Sequence, residues 1–332
     1  MSRRNQILAA VLAFQLVLVA VISWAKSAPV PGGESLFLGL EADQVVRVTI
    51  HDEQGERIEL AKPTGNWVVP EAGNYPCKED QVAKLLEQIA GLKTDRLVTQ
   101  TRASHERLKV SEQIYAHSIE VESADGTGHK LYLGTSPSYS VIHVRAEGQD
   151  QVYLASGLSS ADVSTRAANW VDTLYFSVSP DQDQVVAITL ENANGTFEFR
   201  KGDDGEWTMS DLAPDETLNK NNVTSLVNRV ASVRMLRPLG KEVQESYGLQ
   251  NPSAVVVIQA HDEDGKSKTY VLHVGAKSDE DDVAGASPSY VFKSSESPYY
   301  VRVAEYTAKD LVEKTRDDFL ELPPTPTPTP AS

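Results

Sequence analysis

The sequence predicts an α+β protein: two tandem repeats, each of largely antiparallel sheet with two helices in the order βββ-α-ββββ-α, after one N-terminal transmembrane helix. Three observations predict it. A segment recurs at a gapless offset, apolar residues alternate along short runs bounded by glycine, and each half holds one helical apolar stripe.

The recurrence comes first because it sets the organisation. Asp43-Gln44-Val45-Val46 returns as Asp183-Gln184-Val185-Val186, and Trp67 returns as Trp207, both at an offset of 140. Around these segments Val46, Val48 and Ile50 alternate with polar residues, as do Val186, Ile188 and Leu190, the period of a half-buried strand. A polar turn with glycine follows in each half, then a second strand (Arg57–Leu60; Thr196–Arg200), another turn and the Trp strand, which makes a three-stranded meander. Val82, Leu85, Leu86, Ile89 and Leu92 then fall at helical spacing, and Val223, Leu226, Val227, Val230 and Val233 repeat it.

A second group of strands begins at Ser118–Glu122 and Val255–Gln259, turns at Asp125-Gly126 and Asp264-Gly265, and returns to Gly134 and Gly275. Ser136-Pro137-Ser138-Tyr139 then recurs letter for letter as Ser287-Pro288-Ser289-Tyr290. A strand pair closes each half (Val141–Val144 with Val152–Leu154; Val291–Lys293 with Tyr299–Val303), followed by a helix expected to hold Thr165-Arg166 or Thr315-Arg316.

At the N-terminus, Arg3 and Arg4 precede an uncharged run from Ile7 to Trp24, and Lys26 follows it. Eighteen helical residues span about 27 Å, near the thickness of a bilayer core. The excess of positive charge before the run places the N-terminus in the cytoplasm and the rest outside. The expected layout is a cytoplasmic N-terminus (1–6), a transmembrane anchor or uncleaved signal (7–24), a linker (25–35), repeat one (36–178), repeat two (179–321) and a disordered Pro/Thr-rich tail (322–332). A cleaved signal peptide is the rival for the first segment, since Ala25-Lys26-Ser27 has small residues at peptidase spacing. Both readings put the folded body outside the cytoplasm.

The chain carries a formal charge of −16, and −19 without residues 1–26, which hold three basic residues and no acidic one. Such a surface repels phosphate backbones, so nucleic acid is not an expected partner. The single cysteine, Cys77, excludes an intramolecular disulfide.

No catalytic constellation emerges. In Gly134-Thr135-Ser136-Pro137-Ser138 and its counterpart from Gly285, serine stands where a nucleophile elbow needs glycine. The seven histidines form no His-Glu-x-x-His, and no phosphate-binding glycine loop is present. His143 is expected as a packed or edge residue of a strand. Asp262-Glu263-Asp264-Gly265 and Asp279-Glu280-Asp281-Asp282 crowd oxygens together but lack the spaced calcium-loop pattern, so a cation at Asp279–Asp282 stays an open alternative to a solvated loop. No cofactor, metal or catalytic residue is assigned. The residues shared by the halves, Trp67, Trp207, Tyr139 and Tyr290, are the candidates for a partner or ligand surface, with core anchoring the competing role for the two tryptophans.

The opening from Val45 to Trp67 and from Val185 to Trp207, the Tyr247-Gly248-Leu249-x-x-Pro252 segment and Thr315-Arg316-Asp317 together resemble an uncharacterised bacterial envelope domain family, domain of unknown function 4340, over nearly all of residues 36–320. The first half departs from it, with Leu108-Lys109-Val110 in place of Tyr-Gly-Leu. The resemblance implies association with export-type transporters of the ABC class and no catalytic residues. The expected function is therefore a membrane-anchored, extracytoplasmic, non-catalytic binding or accessory protein with a transporter subunit or envelope protein as partner. The alternative is a domain pair capturing a peptide or glycan between its halves, with an enzyme of unrecognised type as a third.

Overall fold

Alternating burial along the strands and one buried stripe on each long helix organise the chain into two broad sheets. The computed structural model describes residues 33–178, 185–261, 266–278 and 288–321. In chain order the elements of the first half are β1 (Val45–Asp52), β2 (Arg57–Ala61), β3 (Val68–Val69), β4 (Tyr75–Pro76), α1 (Glu79–Ala90), β5 (Leu97–Thr99), β6 (His117–Ser123), β7 (Gly128–Leu133), β8 (Val141–Ala146) and β9 (Val152–Ser156). Then come β10 (Leu174–Ser177), β11 (Val185–Asn192), β12 (Gly195–Lys201), β13 (Trp207–Met209), α2 (Lys220–Ala231), β14 (Ser232–Arg234), β15 (Arg237–Gly240), β16 (Ala254–His261), β17 (Ser267–Ser278), β18 (Ser289–Ser294), β19 (Tyr300–Ala304) and α3 (Glu305–Val312).

The first sheet has the order β4-β3-β2-β1-β6-β7-β8-β9-β5 and the second β13-β12-β11-β16-β17-β18-β19-β15, with antiparallel neighbours throughout. The order is shared. In each sheet an opening meander and a later four-stranded meander meet at their first strands, β1 beside β6 and β11 beside β16. The long helix lies between them in the chain, and the strand soon after it lands on the far edge: β5 beside β9, β15 beside β19.

On α1, Val82, Leu85, Leu86 and Ile89 are buried; on α2, Val223, Leu226, Val227 and Val230 are. They join Val48, Ile50, Leu60, Ile119, Leu131 and Ile142 of the first sheet and Ile188, Leu190, Phe199, Ile258, Leu272 and Phe292 of the second in one continuous apolar core. Each fully buried side chain of this kind stabilises the fold by about 1.5–3 kcal/mol.

The expected architecture is corrected on two points. The described residues are mostly antiparallel sheet with three α-helices, because the first half has no closing helix: only a 3-10 turn, Ala167–Asn169, follows β9. There Gly157 takes a left-handed φ of 86°, and the Asp162 carboxylate accepts hydrogen bonds from the Ser159 N–H (3.0 Å) and Oγ (2.7 Å). Such local bonds compete with helix formation. In the second half the helix, α3, ends before Thr315, which instead caps a 3-10 turn at Arg316–Phe319 through a capping box with Asp318. The second correction concerns the transmembrane helix. No helix among the described residues is long and apolar enough to cross a membrane, and residues 7–24 lie outside the described residues, as do Asp262–Gly265, Asp279–Asp282 and residues 322–332.

The division between the halves also lies earlier than residue 179. β10 pairs with β14, and Met235 N–H donates to Thr173 O at 2.8 Å, so the chain joins the second half from Thr173 onward. The first half has the same feature: Leu36 N–H donates to Leu92 O (2.8 Å) and Thr94 N–H to Glu34 O (3.1 Å).

Where the halves meet, the 3-10 turn Pro70–Ala72 and Gly73 lie against β15, and a Cβ placed on Gly73 would come within 3.0 Å of Lys241 N. The Tyr75 and Tyr299 rings meet at a tilt of 59° with centroids 4.5 Å apart, Tyr299 Oη donates to Asn74 O at 2.8 Å, and Lys241 Nζ lies 4.8 Å above the Tyr299 ring. Tyr175 Oη donates to Tyr299 O and accepts from Ser294 N–H, both at 2.8 Å. Aromatic rings and hydrogen-bonded main chain fill this joint.

Candidate functional site

The four residues singled out as a surface are not brought together. Trp67 is 4% exposed and Tyr290 7%, so both belong to the core and are corrected as surface candidates. Trp207 is half-buried, packed against the same core. Tyr139 alone is fully presented, at 96% exposure.

The last letters of the shared motif, Ser138-Tyr139 and Ser289-Tyr290, adopt different structures. In the first half Ser138 bridges Val141 around a tight turn with Ser140 at φ 54°, which lifts Tyr139 into solvent. In the second half β17 runs to Ser278 and pairs with Ser289 and Tyr290, drawing them into β18. A six-residue β7 against a twelve-residue β17 decides the difference.

A surface built for contact lies instead on the outer face of the first sheet. The strand period sends Val48, Ile50, Ile119 and Leu131 inward and Arg47, Thr49, His51, Glu59, Glu120, Glu122 and Lys130 outward. Register sets opposite charges side by side: Arg47 opposes Glu122 and Glu120 opposes Lys130. Arg47 reaches Glu59 at 3.5 Å and Glu122 at 3.2 Å, Arg57 reaches Glu59 at 2.5 Å and also pairs with Glu71, and Lys130 meets Glu120 at 2.6 Å. Desolvation pulls the Lys130 ammonium down, but the hydrogen bond to Glu120, with Tyr132 and Glu147 nearby, leaves its pKa raised. These side chains line a groove of about 630 Å³. The second sheet sets Ala187, Val257 and Val271 in this face where the first has Arg47, Glu120 and Lys130.

One end of the face is closed by residues 104–116. Leu108, Val110, Tyr132 and Val152 form a small second core, and the buried Arg145 lies beneath it, 4.6 Å from the Tyr132 ring, its Nε donating to Val110 O at 2.6 Å. Lys109 stands at φ 54° where Gly248 stands at φ 66°, so the departure from Tyr-Gly-Leu keeps the left-handed turn.

Other titratable groups serve structure. Burial, with Glu79 nearby, pushes the Cys77 thiol up to about 12, away from thiolate chemistry. His143 is buried, its Nδ1 within 3.0 Å of Thr135 Oγ1 and 2.7 Å of Thr135 O. Burial lowers the His117 pKa against the pull of Asp52 and Glu53. Among the described residues no group of three or more His, Cys, Asp or Glu could hold a metal.

The groove residues escaped sequence reasoning because their meaning depends on which strand lies beside which. Outward alternation in β1 and β6 was legible, but Arg47 becomes a partner of Glu122, 75 residues on, only once β6 pairs with β1.

The family described as Domain of unknown function (DUF4340) matches residues 67–252, more than half of the chain. The chain belongs to this family. Its DUF4340 match opens at Trp67 just before β3 and closes at Pro252 just before β16, so it straddles the joint. The match is shorter than the expected 36–320, and the Thr315-Arg316-Asp317 segment lies beyond it. No curated protein and no solved structure matches the chain.

Proposed function

We propose that this DUF4340 protein is a non-catalytic binding module of the bacterial envelope that engages a protein partner through the charged outer face of its first sheet. The observation that carries the reading is the groove itself. Its Arg, Lys and Glu side chains are held by mutual ion pairs on a rigid sheet, so little side-chain entropy is lost when a partner of complementary charge pattern docks. Complementary charge also sets register and excludes wrong partners. Tyr139, exposed on the turn between β7 and β8, adds an aromatic contact of the type enriched at interfaces. The positive start and apolar run before residue 27 support a place outside the cytoplasm, and the common strand order of the two sheets supports two tandem copies of one unit. The family resemblance favours a subunit of an ABC-type export system as partner.

Photo-crosslinking in intact cells tests this. A crosslinkable residue at Thr49 or Tyr139 is expected to capture one envelope protein, and Lys130→Glu, which sets three carboxylates together with Glu120 and Glu147, is expected to reduce capture at Thr49 at least tenfold, the equivalent of about 1.4 kcal/mol. Capture that is absent, or unchanged by Lys130→Glu, would defeat the proposal.

A further inference from the structure

The internal joint has a direction. It sets the β4 side of the first sheet, through Pro70–Gly73 and Tyr75, against the β15 edge of the second. Because the two sheets share one strand order, two unlike edges remain: β5 on the first sheet, equivalent to β15, and β13 with its following loop on the second, equivalent to the β3–β4 side. Among the described residues β5 pairs only with β9, and β13 only with β12.

These two edges are complementary. Residues 93–109, around β5, hold five Lys or Arg against two Asp or Glu in a chain of net charge −16; Arg102 is paired with Asp150 and Lys109 with Glu53, so Lys93, Arg96 and Arg107 carry the basic character of the edge. Residues 203–216, around β13, hold six acidic residues and no Lys or Arg; Glu206 is paired with Lys220, and Asp211 and Glu216 with Arg316, so Asp203, Asp204 and Asp215 carry the acidic character of the edge. On β5, Leu97 is 49% and Val98 43% exposed, an apolar edge that isolated monomers avoid leaving open. The aromatic pair of the internal joint is absent from both outer ends, so charge and the Leu97-Val98 edge take its place.

We infer that the protein associates head to tail with further copies of itself, the acidic β13 edge and the loop after it of one copy docking on the basic β5 edge of the next, as the first half docks on the second within one chain. An interface between two different patches does not close on itself by two-fold symmetry, so it builds open chains or rings. The net negative charge of the body opposes association, but at physiological salt the screening length is about 8 Å, which mutes distant charges more than contacting pairs. This goes beyond partner binding by the groove, which lies on the sheet face and not on its edges.

The test uses the full chain in detergent micelles, so that its apolar N-terminal run does not itself join copies. Sedimentation velocity across a concentration series is expected to show species larger than a dimer. Two charge-reversed proteins are then compared, Arg96→Glu with Arg107→Glu, and Asp203→Lys with Asp215→Lys, all exposed positions. Each is expected to stay monomeric alone with its melting temperature retained, and an equal mixture to regain assembly, because each reversed edge then meets an opposite partner. A wild type that stays monomeric or stops at a dimer, reversed proteins that still assemble, or a mixture that does not recover would each overturn the inference.

Discussion

Gly134 and Gly275 carry the tightest packing in the two halves. A Cβ on Gly134 would overlap the Leu108 carbonyl oxygen, and one on Gly275 the Tyr247 carbonyl oxygen, with the Val110 or Leu249 side chain crowding the same space. The obstacle is main chain, which cannot rotate away as a side-chain tip can. Gly134→Ala and Gly275→Ala are each expected to destabilise the protein by about 1–3 kcal/mol, the cost of overpacking, as a lower urea midpoint with unchanged slope. Neither glycine announces this in the sequence beyond ending a strand run, because the carbonyl it meets comes from a loop about 25 residues earlier.

The closing elements show how one residue's chemistry follows the element beside it. In the first half Asp52 accepts a hydrogen bond from Thr165 Oγ1 at 2.7 Å. In the second, Asn192 donates through Nδ2 to Leu311 O and Lys314 O, each at 2.9 Å, satisfying carbonyls at the end of α3. Where a helix ends, a donor is needed, and asparagine supplies it. The turn after α3 is tied by Arg316, whose two terminal nitrogens each lie 2.5 Å from the Glu216 carboxylate. The Arg316 hydrogen bonds, with one from the Ala213 N–H, lower the Glu216 pKa to about 2. The unfolded carboxyl titrates near 4.3, so this contribution is complete above that pH and is lost as pH falls toward about 2. Asp318, lowered first by its bond from the Thr315 N–H, acts in the same direction. Arg316→Gln is expected to lower the melting temperature at neutral pH and to flatten its fall below about pH 4.3, as seen in melting curves across pH.

At the scale of the whole molecule, the joint makes two sheets into one body. The core runs through both halves, and Tyr299 touches the first half by a tilted ring contact with Tyr75 and by hydrogen bonding to Asn74 O. Tyr299→Ala removes both contacts while the core that runs through both halves stays in place. It is expected to lower the melting temperature and to broaden the calorimetric transition, and an unshifted transition of unchanged width would refute this role for the joint.

By itself the sequence determined the local elements. Strands followed from alternation at Val48–Ile50 and Ile188–Leu190, although a bulge buries Val45 and Val185 in place of Val46 and Val186, and the long helices from the stripes at Val82–Ile89 and Val223–Val230, with Leu92 past the first helix and Val233 in β14, because a periodic pattern of burial can be read without knowing what does the burying. Tertiary structure alone decided what those elements face. The shared Ser-Tyr letters became a turn at Ser138-Tyr139 and a strand at Ser289-Tyr290, Trp67 and Tyr290 went into the core, and among the described residues the closing helix formed only once. The charged groove, the joint and the unlike edges likewise exist only after strands far apart in the chain pair. Local periodicity reports which side of an element is buried, while contacts across long separations depend on the register and strand lengths of partners that no short window of sequence contains.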